Sequence, residues 1–271
     1  MKHPEIKQVQ VEQSQTEQLK AERSVDLVVT GLPGSGKSRV IQSMSRTVDG
    51  VTMPGCFESS DLMLLADLAE SGEIVWPYQT LCVIDVRTPL VVGPDDWLAE
   101  WLQQMLLNAD GIVFTFLEGA SLNDQAWWSK WVGLHASHLP IVRWLNQRFP
   151  DHWQGFPLKE VASSFTNNKL TTARNPLQTF EFNVGRISWD HLLFGLDSSK
   201  QNLGMKIVRV KGVVQTLEYE NRVAIEGTAT RWELFAADEA TLLPEEVGRI
   251  QIQGMNLNQV WLAELIQASL A

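Results

Sequence analysis

The chain has 271 residues, of which 44% are hydrophobic and 20% are charged, and its formal net charge is −10 at pH 7. These values are typical of a globular protein with a buried core, and the acidic balance disfavours nucleic acids and anionic membranes as partners. The longest apolar runs fall short of the roughly 20 residues that a membrane span needs. With two cysteines and no apolar leader, we expect a cytoplasmic protein without a disulfide framework.

The N-terminal half of the sequence shows the pattern of an α/β domain. Residues 1–23 are rich in glutamine and poor in apolar residues, so we expect a mobile arm there. Short apolar runs then alternate with amphipathic stretches, which predicts a mostly parallel sheet flanked by helices over residues 24–149. The predicted strands are 25–30, 80–85, 111–117 and 140–145, and the predicted helices are 37–46, 61–71, 95–108 and 123–134.

The C-terminal part has a different rhythm. Residues 150–180 are rich in Pro, Ser, Thr and Asn and are expected to form a linker. After it, strand-like runs follow one another without alternating helices, which predicts a small α+β domain over residues 181–271. Its predicted elements are helix 188–196, strands 206–216, 222–227, 230–236 and 248–253, and a final amphipathic helix.

The strongest chemical signal is a phosphate-binding loop. Residues 31–38 match G-x-x-x-x-G-K-[ST] at every fixed position, directly after an apolar strand and before a helix. Glycines let backbone amides turn towards a phosphate, and the positive end of the following helix faces the same anion. We predict that Lys37 neutralises the β- and γ-phosphates and that Ser38 binds Mg²⁺. The nucleotide-binding residues predicted from this loop are Gly31, Gly34, Ser35, Gly36, Lys37, Ser38 and Arg39.

Two further residues are candidates for metal support and base recognition. Asp85 ends an apolar run in the Walker-B manner, so it is predicted to act in catalysis by orienting Mg²⁺ or its bound water, although an Asp that only caps a turn would give the same pattern. Asn146 follows a later strand, where P-loop proteins place guanine-reading residues. The acidic residue that normally accompanies this Asn is missing, because Asp151 comes two positions too late.

Beyond the loop, the residues resemble the CobW-type metallochaperone GTPases. The resemblance is carried by Arg209-Val-Lys211-Gly212, by Arg231-Trp232 and by the run at residues 249–257. It implies a P-loop GTPase domain followed by that family's small C-terminal domain, with GTP or ATP and Mg²⁺ as ligands. The stretch between residues 47 and 54 is too short for the family's switch segment.

The metal motif of that family is degraded in this chain. It aligns with residues 55–60, where one thiol, Cys56, is retained near Glu58. Zinc and cobalt need several converging ligands, so one Cys with a nearby Glu is a weak and doubtful transition-metal motif, and Cys56 is predicted to be a small buried residue. His135 and His138 have a spacing that could pair two imidazoles, but without a third ligand they are expected in a solvated loop or helix end.

These observations favour one function and leave two alternatives open. The first is a Mg²⁺-dependent nucleoside triphosphate-binding protein, with GTP preferred to ATP and with weak or lost hydrolysis. The second is an ATP-dependent small-molecule kinase, against which we count the scarcity of arginines between residues 50 and 145, where only Arg87 and Arg143 occur. The third is an interaction module that displays Trp127, Trp128 and Trp131 to a protein partner.

Overall fold

The computed structural model of the chain describes residues 26–47, 56–60, 62–74, 78–151, 153, 156, 177–238 and 247–271. The predicted arm at residues 1–23 and most of the predicted linker lie outside these ranges. None of the helices within them has both the length and the apolar character that a bilayer crossing demands.

The first unit of the fold is a parallel sheet of five strands. They are β1 (Asp26–Gly31), β2 (Cys56–Glu58), β3 (Tyr78–Asp85), β4 (Gly111–Thr115) and β5 (Ile141–Arg143), in the spatial order β2-β1-β3-β4-β5. β1, β3 and β4 are buried almost throughout because helices cover both faces of the parallel sheet. The four predicted strands are confirmed. The edge strand β2 escaped prediction because it has three residues and two of them are exposed.

Helices α1 (Lys37–Thr47), α2 (Leu62–Glu70), α3 (Asp96–Asn108) and α4 (Leu122–His135) connect these strands, close to their predicted bounds. The apolar stripe of α3 is core, as expected, because Trp101 and Met105 are almost completely buried against the sheet. α4 begins with a capping box between Ser121 and Asp124. The predicted α/β arrangement, a mostly parallel sheet flanked by helices, is therefore confirmed.

The second unit is a mainly antiparallel sheet in the order β10-β9-β8-β11-β6, in which β7 pairs with β8 in parallel. Its elements are β6 (Gln178–Asn183), β7 (Arg186–Ile187), α5 (Trp189–Asn202), β8 (Lys206–Thr216), β9 (Val223–Thr228), β10 (Trp232–Ala236), β11 (Arg249–Met255) and α6 (Gln259–Ser269). The predicted α+β character is confirmed. β6 and β7 were not predicted, and residues 178–180 of the proposed linker already belong to β6.

The two sheets share part of one hydrophobic cluster. Val208 of β8 and Met255 of β11 are buried together with Trp101, Leu102 and other residues of the parallel-sheet domain. Apolar burial of this kind stabilises the contact between the units. It places one end of the antiparallel sheet over the phosphate-binding loop.

Candidate functional site

The loop between β1 and α1 has the backbone shape that its glycines allow. Gly34 and Gly36 have φ values of +86° and +91°, which other residues rarely adopt. A Cβ on Gly36 would lie 3.0 Å from the Phe116 ring, so a side chain at this position would have to displace the ring slightly. The Ser35 carbonyl accepts a hydrogen bond from Thr115 Oγ1 at 2.7 Å, which ties the loop to β4.

Lys37 lies buried at the centre of this loop. Its Nζ donates hydrogen bonds to the carbonyls of Gly31 and Leu32, both at 3.2 Å, and to Ser60 Oγ at 2.9 Å. Ser60 Oγ in turn donates to the Gly31 carbonyl at 2.7 Å. Desolvation lowers the pKa of Lys37 to about 8, an effect that the negative charge of Glu58 opposes.

The hydroxyl of Ser38 faces a carboxylate. Ser38 Oγ donates to Glu58 Oε1 at 3.0 Å, and both side chains line the same cleft as Lys37. Hydroxyl and carboxylate oxygens are the ligands that Mg²⁺ prefers, so this pair fits the metal that a P-loop site uses. Glu58 was noted from the sequence only as part of the degraded transition-metal motif. Among the described residues, no group of three or more His, Cys, Asp or Glu side chains could hold a metal ion.

Asp85 is held by arginines. Its Oδ1 accepts a hydrogen bond from Arg87 Nε at 3.0 Å and its Oδ2 accepts one from Arg87 Nη2 at 2.6 Å, while Arg231 Nη2 lies 3.5 Å from Oδ2. Arg87 also lies over the Phe116 ring, 3.7 Å from its centroid. Both arginines contact Glu233 of β10, so this network joins the two sheets. A metal-supporting role for Asp85 stays a prediction, and it requires Arg87 to move aside.

A cleft of about 810 Å³ opens above the phosphate-binding loop, between the parallel and antiparallel sheets. Its cationic lining residues are Lys37, Arg39, Arg87, Arg209, Lys211 and Arg231. Its carboxylates are Glu58, Glu226 and Glu233. The cleft thus has an excess of positive charge in a chain whose net charge is −10, and this charge suits a polyanion.

The structure does not bring every predicted site residue into this cleft. Gly34, Gly36, Lys37, Ser38 and Arg39 line it. Ser35 and Asp85 instead line a small apolar cavity beside it, of about 50 Å³. Asn146 lies exposed in the turn after β5 with φ +49°, where its backbone amide donates to Glu118, and it does not line the cleft.

Expectations for the cysteine, histidine and tryptophan residues are met in part. Cys56 is exposed, so its predicted burial is wrong: the short edge strand β2 places its side chain outwards. His135 and His138 are exposed at the end of α4, as expected. Trp128 is buried, whereas Trp127 and Trp131 are half-buried and stack on each other with ring centroids 6.4 Å apart.

Sequence reasoning missed the contribution of the antiparallel sheet to this site. Arg209 and Arg231 were recognised as parts of C-terminal motifs, and nothing in their spacing indicated that they face the loop. The cationic residues of the cleft are far apart in the sequence, so their clustering becomes visible only in the folded structure. The scarcity of arginines between residues 50 and 145 argued against a kinase. The antiparallel sheet adds two arginines, Arg209 and Arg231, to the cleft.

Comparison with known proteins gives only distant similarity. No protein-family model matches the chain, and no curated protein matches it. Among solved structures, the chain is similar to the Zn(II)-bound YjiA GTPase from E. coli, with 12% identity, a TM-score of 0.31 and coverage of 92% of this chain and 100% of that one. A triple mutant of Zn(II)-bound YjiA GTPase matches at 11% identity, a TM-score of 0.30 and the same coverage. Similarity at this level supports no conclusion on the fold, ligands or activity of the chain.

Proposed function

We propose that the chain binds a nucleoside triphosphate together with Mg²⁺ in the cleft above the phosphate-binding loop. The observation that carries the proposal is the position of Lys37, a buried cation held by the carbonyls of Gly31 and Leu32 at the floor of a positively charged cleft. Burial of a charge is costly unless it is paired. A phosphate chain would provide the missing negative charge.

The neighbouring groups support the same ligand. The backbone amides of Gly34 and Gly36 and the positive end of α1 would bind phosphate oxygens. Ser38 would hold Mg²⁺. Glu58, which lies at hydrogen-bond distance from Ser38, would provide a second oxygen ligand. The ion would neutralise charge on the phosphates, and Lys37 would do the same.

Hydrolysis would be slow in this arrangement. Phosphoryl transfer depends on positioning and charge stabilisation more than on covalent chemistry. Asp85, the predicted support for the metal or its water, is engaged by Arg87 and Arg231. We therefore propose binding with weak turnover, and GTP as the preferred nucleotide because the C-terminal motifs resemble those of CobW-type GTPases.

A small-molecule kinase is the second candidate. The cleft is lined by Arg39, Arg87, Arg209 and Arg231, and kinases use such clusters to clamp the phosphate being transferred. The cleft volume of about 810 Å³ leaves room for an acceptor beside a nucleotide.

The proposal is tested by titrating the full chain with fluorescent GTP and ATP analogues, with and without Mg²⁺, followed by a phosphate-release assay. Lys37→Ala should abolish binding, whereas Lys130→Ala, which removes an exposed lysine of α4, should bind like the wild type. Binding without phosphate release supports the proposed function, and transfer of phosphate to an added metabolite supports the kinase. Equal affinities of the wild type and Lys37→Ala would contradict both.

A further inference from the structure

Arg209 of β8 lies against the phosphate-binding loop although it belongs to the other sheet. A Cβ placed on Gly34 would be 2.9 Å from Arg209 Nη1 and 2.7 Å from Cγ2 of Thr228. In the register of the antiparallel sheet, Arg209 and Thr228 are direct partners on β8 and β9. This strand pair therefore forms a wall directly over the middle of the loop.

The charge of Arg209 acts on Lys37 in the phosphate-binding loop. Its positive charge contributes to the lowered pKa of Lys37, although desolvation is the larger cause. Two cations that repel each other across a cleft create a potential that favours an anion between them. The loop lysine reaches the β- and γ-phosphates in this class of site, so Arg209 shares the cleft with those groups.

Arg209 is paired with a carboxylate of the same sheet. Its Nη2 forms an ion pair with Glu226, and its Nη1 lies 3.5 Å from the Gly227 carbonyl. The side chain is only about one-fifth exposed, with a relative exposure of 21%. A guanidinium has five N–H donors in a planar fork that matches phosphate oxygens, and a phosphate carries more negative charge than one carboxylate.

We propose that Arg209 binds the terminal phosphates of the nucleoside triphosphate, exchanging its ion pair with Glu226 for phosphate oxygens. The proposal rests on the triphosphate site described above and assigns one wall of it to the antiparallel sheet. Glu226 then acts as a competitor that keeps Arg209 in position before the ligand arrives. Loss of Arg209 and loss of the Glu226 charge must therefore change affinity in opposite directions.

The test is a titration of the full chain with N-methylanthraniloyl-GTP and N-methylanthraniloyl-ATP in the presence of Mg²⁺. Arg209→Gln should raise Kd by about tenfold or more, the usual scale for a charge-assisted hydrogen bond. Arg209→Lys should give an intermediate Kd because it keeps the charge and loses the fork. Arg249→Gln, an exposed arginine of β11 outside the cleft, should stay within about twofold of the wild type.

Glu226→Gln separates ligand binding from a merely structural ion pair. It should lower Kd, because Arg209 no longer has a competing carboxylate. A structural pair predicts instead that Arg209→Gln and Glu226→Gln both lower the melting temperature and weaken binding together, and that result would overturn the proposal. Unchanged Kd in Arg209→Gln, with binding still abolished by Lys37→Ala, refutes the role of Arg209 alone. Absence of binding in the wild type refutes the triphosphate site itself.

Discussion

The buried position of Lys37 predicts that triphosphate affinity depends on pH in a defined direction. Its pKa of about 8 in the free protein means that Lys37 loses its proton as the pH rises beyond that value. Of the groups facing it, Glu58 raises this pKa and Arg209 lowers it. A bound phosphate chain adds negative charge and raises the pKa again, so the complex keeps the proton. Affinity must therefore fall as the pH rises through 8.

The size of this effect follows from the same pKa. If only the protonated lysine binds phosphate, Kd scales with the reciprocal of its protonated fraction, which gives about an eightfold weaker Kd at pH 9 than at pH 7.5. Proton uptake on binding should rise from about 0.2 to about 0.9 per ligand over that range. The phosphates themselves are essentially fully ionised above pH 7.5, so they add little to the change.

Isothermal titration calorimetry in buffers of different ionisation enthalpy measures both quantities. Lys37→Arg, whose guanidinium stays protonated, should lose the proton uptake, and Lys130→Ala should keep it. If the wild type takes up the same number of protons at both pH values and Kd changes by less than about twofold, the argument from a desolvated lysine is wrong.

Two further predictions test the loop and the thiols. Gly36→Ala should cost about 1–2 kcal/mol of stability from its positive φ and also displace the Phe116 ring, so triphosphate binding should weaken strongly. Gly72→Ala is the control, because Gly72 has φ +81° and open space around its Cβ. It should lower stability by the same backbone strain and leave triphosphate binding unchanged. Equal loss of binding in both variants would contradict the reasoning. In the folded protein a thiol reagent should label Cys56 and spare Cys82, whose burial raises its pKa to about 12, whereas labelling of both at equal rates would refute this assignment.

The parallel-sheet domain could be predicted from the sequence because its elements are long and periodic. β3 and β4 each contain a continuous apolar run, and α3 repeats its apolar residues at helical spacing, so local pattern and tertiary environment agree. β2 was not predicted because a strand of three residues shows no recognisable alternation of polar and apolar residues. Its pairing with β1 also depends on a segment that is distant in the sequence. The exposure of Cys56 was missed for the same reason.

The floor of the candidate site could be predicted and its walls could not. The phosphate-binding loop is one contiguous stretch whose residue types each follow from the chemistry of phosphate binding. Glu58, Arg209 and Arg231 come from other parts of the chain, and only the pairing of strands brings them to the cleft. Asp85 illustrates the converse, since its place at the end of β3 was predicted and its two arginine partners were not.

Charged residues from both sheets line the same cleft. In an acidic chain, cations gathered around a cleft repel one another unless carboxylates or a ligand neutralise them. Glu226 and Glu233 do this from the antiparallel sheet, and Glu58 does it from the parallel sheet. A polyphosphate would replace part of these contacts with stronger ones to both sheets at once. Ligand binding and contact between the sheets should therefore stabilise each other, because each brings together the charges that the other needs.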